Sequence, residues 1–568
     1  MTEPASPQNP PAVPPRPKEP RTVSGFGIAL GLTLFAASLT PSLVPRAALL
    51  QGVLGGAVFA VGYGAGVAAI SLWRWLGLRE PSPRHGAIAG IVAALAGLGL
   101  AALALSHAAE WQDSIRVLMG LPPVETTHPT KVAGLAAATA LAIIAVAYLI
   151  KLVFRFARNR VHGLVPERVA ILIGLVVAFA LFGTLINGVL VRYALQVLDQ
   201  SYATLDSLFE PEIAAPTDPA MTGSSASLLD WTELGRDGRR FIARMPTKAD
   251  IEAFWGGEAM APQRVYVGLG ADDDVEARAA LALAEMERIG AFEREILIVA
   301  VPTGTGFMEE AAITPLEFLH RGNVATVALQ YSYLQSPFSL IFEPEYGAEA
   351  ARALLRVVYE HWTELDHANR PRLYLQGVSL GALSSERSLR LHEVLGDPLN
   401  GAVWSGPPFP SPVHAQATAE RDAGSPAWLP RFENGSFIRF TRDGSDVGEG
   451  ARWGPMRIIY LQHPSDPIVF FGLPALWRSP PWLAAPRGPD VSPQMRWYPV
   501  VTALQLAADM ALSNNAPVGF GHQYSAASYI DVWTEVTDPN VTADDIARLK
   551  ALFPNGKDLD TAALRSPS

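Results

Sequence analysis

A serine between two glycines, Gly377-Val378-Ser379-Leu380-Gly381, follows a short run of β-formers from Arg372 to Gln376 and precedes a helical pattern opening at Leu380. Strand, tight turn and helix is the setting in which Gly-x-Ser-x-Gly carries chemistry. The turn lifts the hydroxyl clear of the backbone, and the glycines remove side chains that would strike neighbouring elements. A serine hydroxyl is a poor nucleophile until a base takes its proton, and that base needs a carboxylate to fix its tautomer. In this setting the chain order expected is serine, acid, histidine. Asp466 lies in a loop after the strand-like Met456–Gln462, and His522 sits in the Gly-rich loop Val518–Tyr524. The order therefore points to Ser379, Asp466 and His522 and to an acyl-enzyme. Asp443 and Asp446 are rivals for the acid, and Asp466 also suits a turn before Pro467. His320, His361, His367 and His392 fall on or beside helical patterns, His414 lies in an irregular stretch, and His463 precedes the acid.

A tetrahedral oxyanion needs preorganised backbone donors. One is expected from Leu380, directly after the nucleophile. The second is expected from the loop Pro302-Thr303-Gly304-Thr305-Gly306, with Thr305 and Gly304 as candidates, although an ordinary glycine turn would look the same. Tyr331, Tyr333 and Trp404 follow strand-like runs and suit either an acyl pocket or the core.

These residues need a scaffold. From residue 264 onward, short apolar runs alternate with amphipathic segments, the mark of a mostly parallel sheet with helices on both faces. The pattern predicts strands at 264–269, 295–301, 323–331, 372–377, 401–405 and 456–462, and helices near 274–290, 344–366, 380–395 and 500–512. Residues 406–455, rich in Pro, Gly and Trp, read as an insertion: a lid or a structural excursion. Val267-Gly-Leu-Gly-Ala-Asp-Asp-Asp274 lacks the third glycine of a dinucleotide fingerprint, and its acids suit a helix start.

The first third of the 568 residues is far more apolar than the rest. Residues 1–21 read as a disordered Pro-rich tail, and 22–195 as an all-α transmembrane bundle of about five helices, with runs at 23–40, 48–73, 86–105, 132–154 and 169–191. Each is near the ~20 residues a helix needs to cross a bilayer. Basic residues gather in the tail (Arg16, Lys18, Arg21), in the second loop (Arg74, Arg79, Arg84) and in the fourth (Lys151, Arg155, Arg158, Arg160, Arg168). The positive-inside rule then makes the N-terminus cytoplasmic, and five crossings leave the C-terminal domain extracytoplasmic in a multi-pass membrane protein. Apart from Lys151 near the end of the fourth run, the cores carry no Asp, Glu, Lys or Arg, which argues against an ion-coupled carrier. Residues 196–262 read as a linker or peripheral segment, its patch Leu234–Ala243 suiting lipid headgroups or a surface helix, and 263–568 as the catalytic domain. A net charge of −10 without a basic-aromatic run excludes a nucleic-acid surface, and zero cysteines exclude disulfides, thiolate catalysis and thiolate-bound metal.

On VPTGTG, GVSLG, HPSDP and GHQY in that order, residues 295–531 resemble an α/β-hydrolase domain. With SLTPSLVPR before the second span, the whole chain is similar to a family of bacterial membrane-anchored α/β-hydrolases. The resemblance implies a serine hydrolase at the plasma (inner) membrane, with Ser379, Asp466 and His522 matching the superfamily's triad positions. No cofactor or metal is expected. Thr303-Gly-Thr-Gly departs from the His-Gly-Gly-Gly loop of many lipases. The expected reaction is cleavage of a carboxylic ester of a lipid or amphiphile. Acyl transfer, thioester cleavage and a non-catalytic receptor or scaffold are the alternatives. The oligomeric state is not legible.

Overall fold

The computed structural model describes residues 24–79, 81–161, 165–184, 206, 208, 210, 212–334, 336, 339, 345–390 and 396–565. The expected tail at 1–21, the end of the fifth apolar run and His392 lie outside the described residues. The described part begins with five helices: α1 (Gly25–Ser38), α2 (Ala48–Trp75), α3 (Pro83–Arg116), α4 (Pro129–Val161) and α5 (Glu167–Gly183). The helical stretches 48–75, 83–119 and 129–161 are long and apolar enough to cross a membrane. Lipid offers no hydrophobic drive to bring helices together, so close backbone approach does that work. A Cβ at Gly62 would lie 2.9 Å from the Cα of Gly31, and one at Gly66 would lie 2.7 Å from the Cα of Gly27. The small-residue spacing on α2 thus seats α1.

The C-terminal part is built on a seven-stranded parallel sheet in the order β1-β3-β2-β4-β5-β7-β6. Its strands are β1 (Gln263–Val267), β2 (Ile296–Val301), β3 (Val324–Leu329), β4 (Arg372–Val378), β5 (Gly401–Ser405), β6 (Ile438–Thr441) and β7 (Arg457–Leu461). Nearly every strand residue is buried, as a sheet covered on both faces requires. In chain order the described α-helices of eight residues or more are α6 (Gly235–Ala243), α7 (Lys248–Trp255), α8 (Val275–Arg288), α9 (Glu310–Leu319), α10 (Tyr346–Glu364), α11 (Leu380–Ser388), α12 (Pro412–Ala419), α13 (Val501–Met510), α14 (Ala526–Thr537) and α15 (Ala543–Ala551). On one face Trp404 of β5 donates to Ser385 of α11. On the other, Tyr374 of β4 meets Trp533 of α14, whose indole donates to Ala312 of α9.

One expectation needs correction, and one open choice is decided. Residues 406–455 are not a free insertion, because they carry α12 and the edge strand β6, which pairs with β7. The long irregular excursion lies instead at 471–500, between Asp466 and α13. Of the two readings of the patch Leu234–Ala243, the helix is the one found: it forms α6, and Leu234, Phe241 and Ile242 join the core of the sheet domain. A Cβ at Gly238 would strike the Tyr266 ring, so α6 lies directly on β1. Asp272–Asp274 do what a helix start asks of acids, with Asp274 capping α8.

The interior holds a buried ion pair, Arg264 of β1 with Glu317 of α9, at 2.8 Å. Nearby, burial raises the Glu310 carboxyl to about 7 against the pull of Arg264 and Arg244. The folded carboxyl therefore keeps its proton where the unfolded one, with a pKa near 4.5, has lost it. Its contribution is complete below the unfolded pKa and is lost as pH rises through the folded value. Glu310→Gln is expected to remove a decline of about 3 kcal/mol across that interval, read as a flatter dependence of Tm on pH.

The membrane helices and the sheet domain meet at the α1–α2 loop. Arg46 is fully buried there and pairs with Asp509 of α13 at 2.8 Å. Its backbone N–H donates to Gln112 of α3 (2.9 Å), and its guanidinium also reaches Ser42 and Gln51. The Leu43 N–H donates to the second Asp509 oxygen at 3.1 Å. Leu43 belongs to one buried cluster with Val469, Phe470, Trp482, Met495 and Leu506 of the sheet domain. Val44 packs with Ile115 and Met119 near the end of α3 and with Leu512 and Phe520 beyond α13.

Candidate active site

The rows of the sheet explain why distant residues share one edge. Val378, Ser405 and Leu461 are in register across β4, β5 and β7, so the next residues of all three strands emerge side by side. Ser379 is the first residue past β4 and adopts φ 56°, ψ −125°, a conformation that costs a non-glycine residue of order 1–3 kcal/mol. Its N–H donates to the Ser405 carbonyl at 2.9 Å. The flanking glycines are required by contact: a Cβ at Gly377 would strike the Gly381 carbonyl, and one at Gly381 would strike the Val301 carbonyl.

Asp466 is fully buried past the end of β7. One carboxylate oxygen accepts from His522 Nδ1 at 2.6 Å and from the Tyr524 hydroxyl at 2.6 Å, and the other accepts from the Ile468 N–H at 2.9 Å. Burial, with the Asp466 charge second, pushes the Tyr524 phenol well above its ordinary range, so it remains a donor. With its Nδ1 proton committed to Asp466, a neutral His522 carries its lone pair on Nε2. That nitrogen is buried with no hydrogen-bond partner among the described residues. The imidazole lies against Gly406, the residue after β5, where a Cβ would fall 2.5 Å from Cε1. Ser379 and His522 therefore both contact the Ser405–Gly406 segment. No hydrogen bond joins the Ser379 hydroxyl to His522 among the described residues, a bond that unliganded hydrolases often leave long.

The loop carrying His522 is held from three sides. His463 Nδ1 donates to the Gly521 carbonyl (2.9 Å), and Ser465 Oγ accepts the Gly521 N–H (2.9 Å) while donating to buried Asp490 (2.5 Å). Burial holds the His463 pKa below its usual value, which favours this neutral, singly donating form. Its ring also stacks on Tyr524, 4.5 Å between centroids. The His522 N–H donates to Ser513 just beyond α13, at 3.2 Å. Among these, Tyr524, His463, Ser465, Asp490 and Gly406 gave no sequence signal of their role, except that HPSDP and GHQY were already conspicuous as units.

At the oxyanion side, Leu380 opens α11, so its N–H has no intrahelical partner. The loop after β2 touches the same turn through Val301 and Pro302. Within it, the Thr303 and Gly306 N–H groups close the loop on itself (3.0 and 2.9 Å). Gly304, expected as a donor, is turned away: its N–H faces Ser336 Oγ at 3.4 Å, and its Cα lies against the Leu334 carbonyl. Thr305 is held by its side chain to Asp237 (3.4 Å) and by its carbonyl to Gln330 (3.3 Å), with no hydrogen bond from its N–H among the described residues. Trp404 is not a pocket residue, since its side chain is buried under α11 beside Tyr460. Tyr331 is buried against Gly347, and Tyr333 is half-buried. Among the described residues no group of three or more His, Asp or Glu side chains is arranged to hold a metal.

A doubly covered parallel sheet, with a strained serine between strand and helix at its C-terminal edge, defines an α/β-hydrolase fold. The chain belongs to an alpha/beta-hydrolase family, whose model matches residues 263–549. A second model, for the N-terminus of an alpha/beta-hydrolase family, matches residues 39–246, from the loop that docks on the sheet domain onward. Compared with curated proteins and with solved structures, the chain finds no match in either.

Proposed function

We propose that the protein is a membrane-anchored serine hydrolase that cleaves carboxylic esters of lipids or amphiphiles through an acyl-enzyme. The observation that carries this reading is the His522–Asp466 hydrogen bond at the sheet edge where Ser379 sits in its strained turn. Ser379 Oγ attacks the ester carbonyl carbon, and His522 Nε2 takes the hydroxyl proton. Asp466 does not take a proton; it keeps His522 in the required tautomer and stabilises the imidazolium. The Leu380 N–H, with Thr305 as the second donor, stabilises the oxyanion. Collapse breaks the ester C–O bond, and the proton on His522 passes to the departing alcohol. Water then repeats the sequence on the acyl-enzyme and frees Ser379.

The catalytic domain is extracytoplasmic in this reading. It packs on the α1–α2 loop and on the end of α3, and these connections carry few basic residues compared with the N-terminal tail and the α2–α3 and α4–α5 connections. A membrane-impermeant fluorophosphonate applied to sealed right-side-out vesicles is expected to label Ser379. Labelling only after lysis would reverse the orientation, and no labelling of folded, lysed protein would remove the serine-hydrolase reading.

A further inference from the structure

One membrane helix is too short for its task. The 14 residues of α1 span about 21 Å, against a hydrocarbon core of about 30 Å. The space beyond its end is filled by the sheet domain. Val501, in the first turn of α13, is fully buried against Leu54 and Val58 of α2, with Leu34 and Ala37 of α1 and Tyr498 in the same cluster. Counting ~20 residues back from Arg74, the charge near the far end of α2, brings the hydrocarbon boundary to about Leu54. Val58 and the α13 residues against it then lie about 6 Å inside that boundary.

The excursion before α13 continues this surface. Its turn Leu473–Leu476 is tied to the start of α13 by the Val500 N–H bond to the Leu476 carbonyl, 2.9 Å. Leu473 and Trp477 are 61% and 64% exposed, more than any other large apolar side chain among the described residues from 212 onward. Arg478 follows immediately, and the stretch from Trp497 to Ala508 carries no charge. Adjacent exposed apolar side chains are costly in water, whereas an indole beside an arginine suits the boundary between acyl chains and headgroups.

We propose that the segment 472–501 is a lipid-binding surface, sunk into the leaflet beside α1 and α2, with Leu473 in the acyl region and Trp477 at its boundary. The occupant is the bilayer because the surface is continuous with helices that span it. Resting on the serine-hydrolase reading, the same surface holds the site at the leaflet from which an acyl lipid is drawn, since this segment joins the Asp466 loop to the helix that supports His522.

The chain has no cysteine, so Leu473→Cys and Trp477→Cys each give the full-length protein a single nitroxide-labelling site. Phe437→Cys, beside the edge strand β6, is the control. In phosphatidylcholine–phosphatidylglycerol vesicles, molecular oxygen is expected to relax the labels at 473 and 477 more strongly than a water-soluble nickel chelate does. The order is expected to invert at 437. Chelate dominance at both test positions would overturn the proposal, and so would protection from both reagents, which would mean that protein covers the turn. The labels report depth whatever the site's chemistry, so failure here is distinct from failure to label Ser379.

Discussion

Replacing Ser379 by alanine is expected to lower kcat on a carboxylic ester by about 10⁴- to 10⁶-fold while changing KM little. The hydroxyl makes its decisive bond only in the transition state, so removing it leaves ground-state binding intact. What remains is attack by water aided by the oxyanion donors, an effect that is modest beside covalent catalysis. His522→Ala is expected to cost a similar factor, and the double substitution little more, because the two groups act as one unit. The measurement is kcat and KM of the full-length protein across esters of increasing chain length and native membrane lipids. Equal rates for wild type and Ser379→Ala would remove this serine from the chemistry.

Arg46→Met is expected to destabilise the union of membrane bundle and sheet domain by about 3–5 kcal/mol. The substitution leaves the Asp509 carboxylate fully buried without its counter-charge. Burial raises the Asp509 carboxyl, and Arg46, Ser42 and the Leu43 N–H pull it back. Without Arg46 the strongest of these counterweights is gone. The effect reaches the site because α13 leads into Ser513, whose carbonyl accepts the His522 N–H. A lower Tm together with slower fluorophosphonate labelling of Ser379 is therefore the expected pair of results. Arg46→Met with Asp509→Leu removes both charges and is expected to recover much of the lost Tm, since it is the orphaned charge that costs most. If the single substitution melts like wild type, the pair does not hold the two parts together.

The elements that the sequence made legible are those whose signal is local. β4 and α11 around Ser379 show their periods within a dozen residues, and α1 to α5 announce themselves by apolar length. β6 did not, because Ile438–Thr441 is four residues long, too short to show an alternation, and lies in a Pro- and Gly-rich stretch. α9 was hidden by Pro315 in its middle, and α14 by aromatic and β-branched residues of weak helix preference. Both are helical because tertiary burial overrides weak local preference, Trp533 of α14 packing onto α9.

At the site, sequence alone determined residue types and their order: a serine in a strand-to-helix turn, then an acid, then a histidine near the end of the chain. Only the tertiary structure decided who touches whom. It set the His522–Asp466 bond, gave Asp466 a second donor in Tyr524, turned Gly304 towards Ser336, and paired Arg46 with an aspartate 463 residues away. The reason is physical. Helix and strand periods are written into neighbouring residues, whereas the partner of a buried charge or imidazole is whatever group the packed sheet and bundle bring within about 3 Å, and burial makes an unpartnered charge too costly to leave alone.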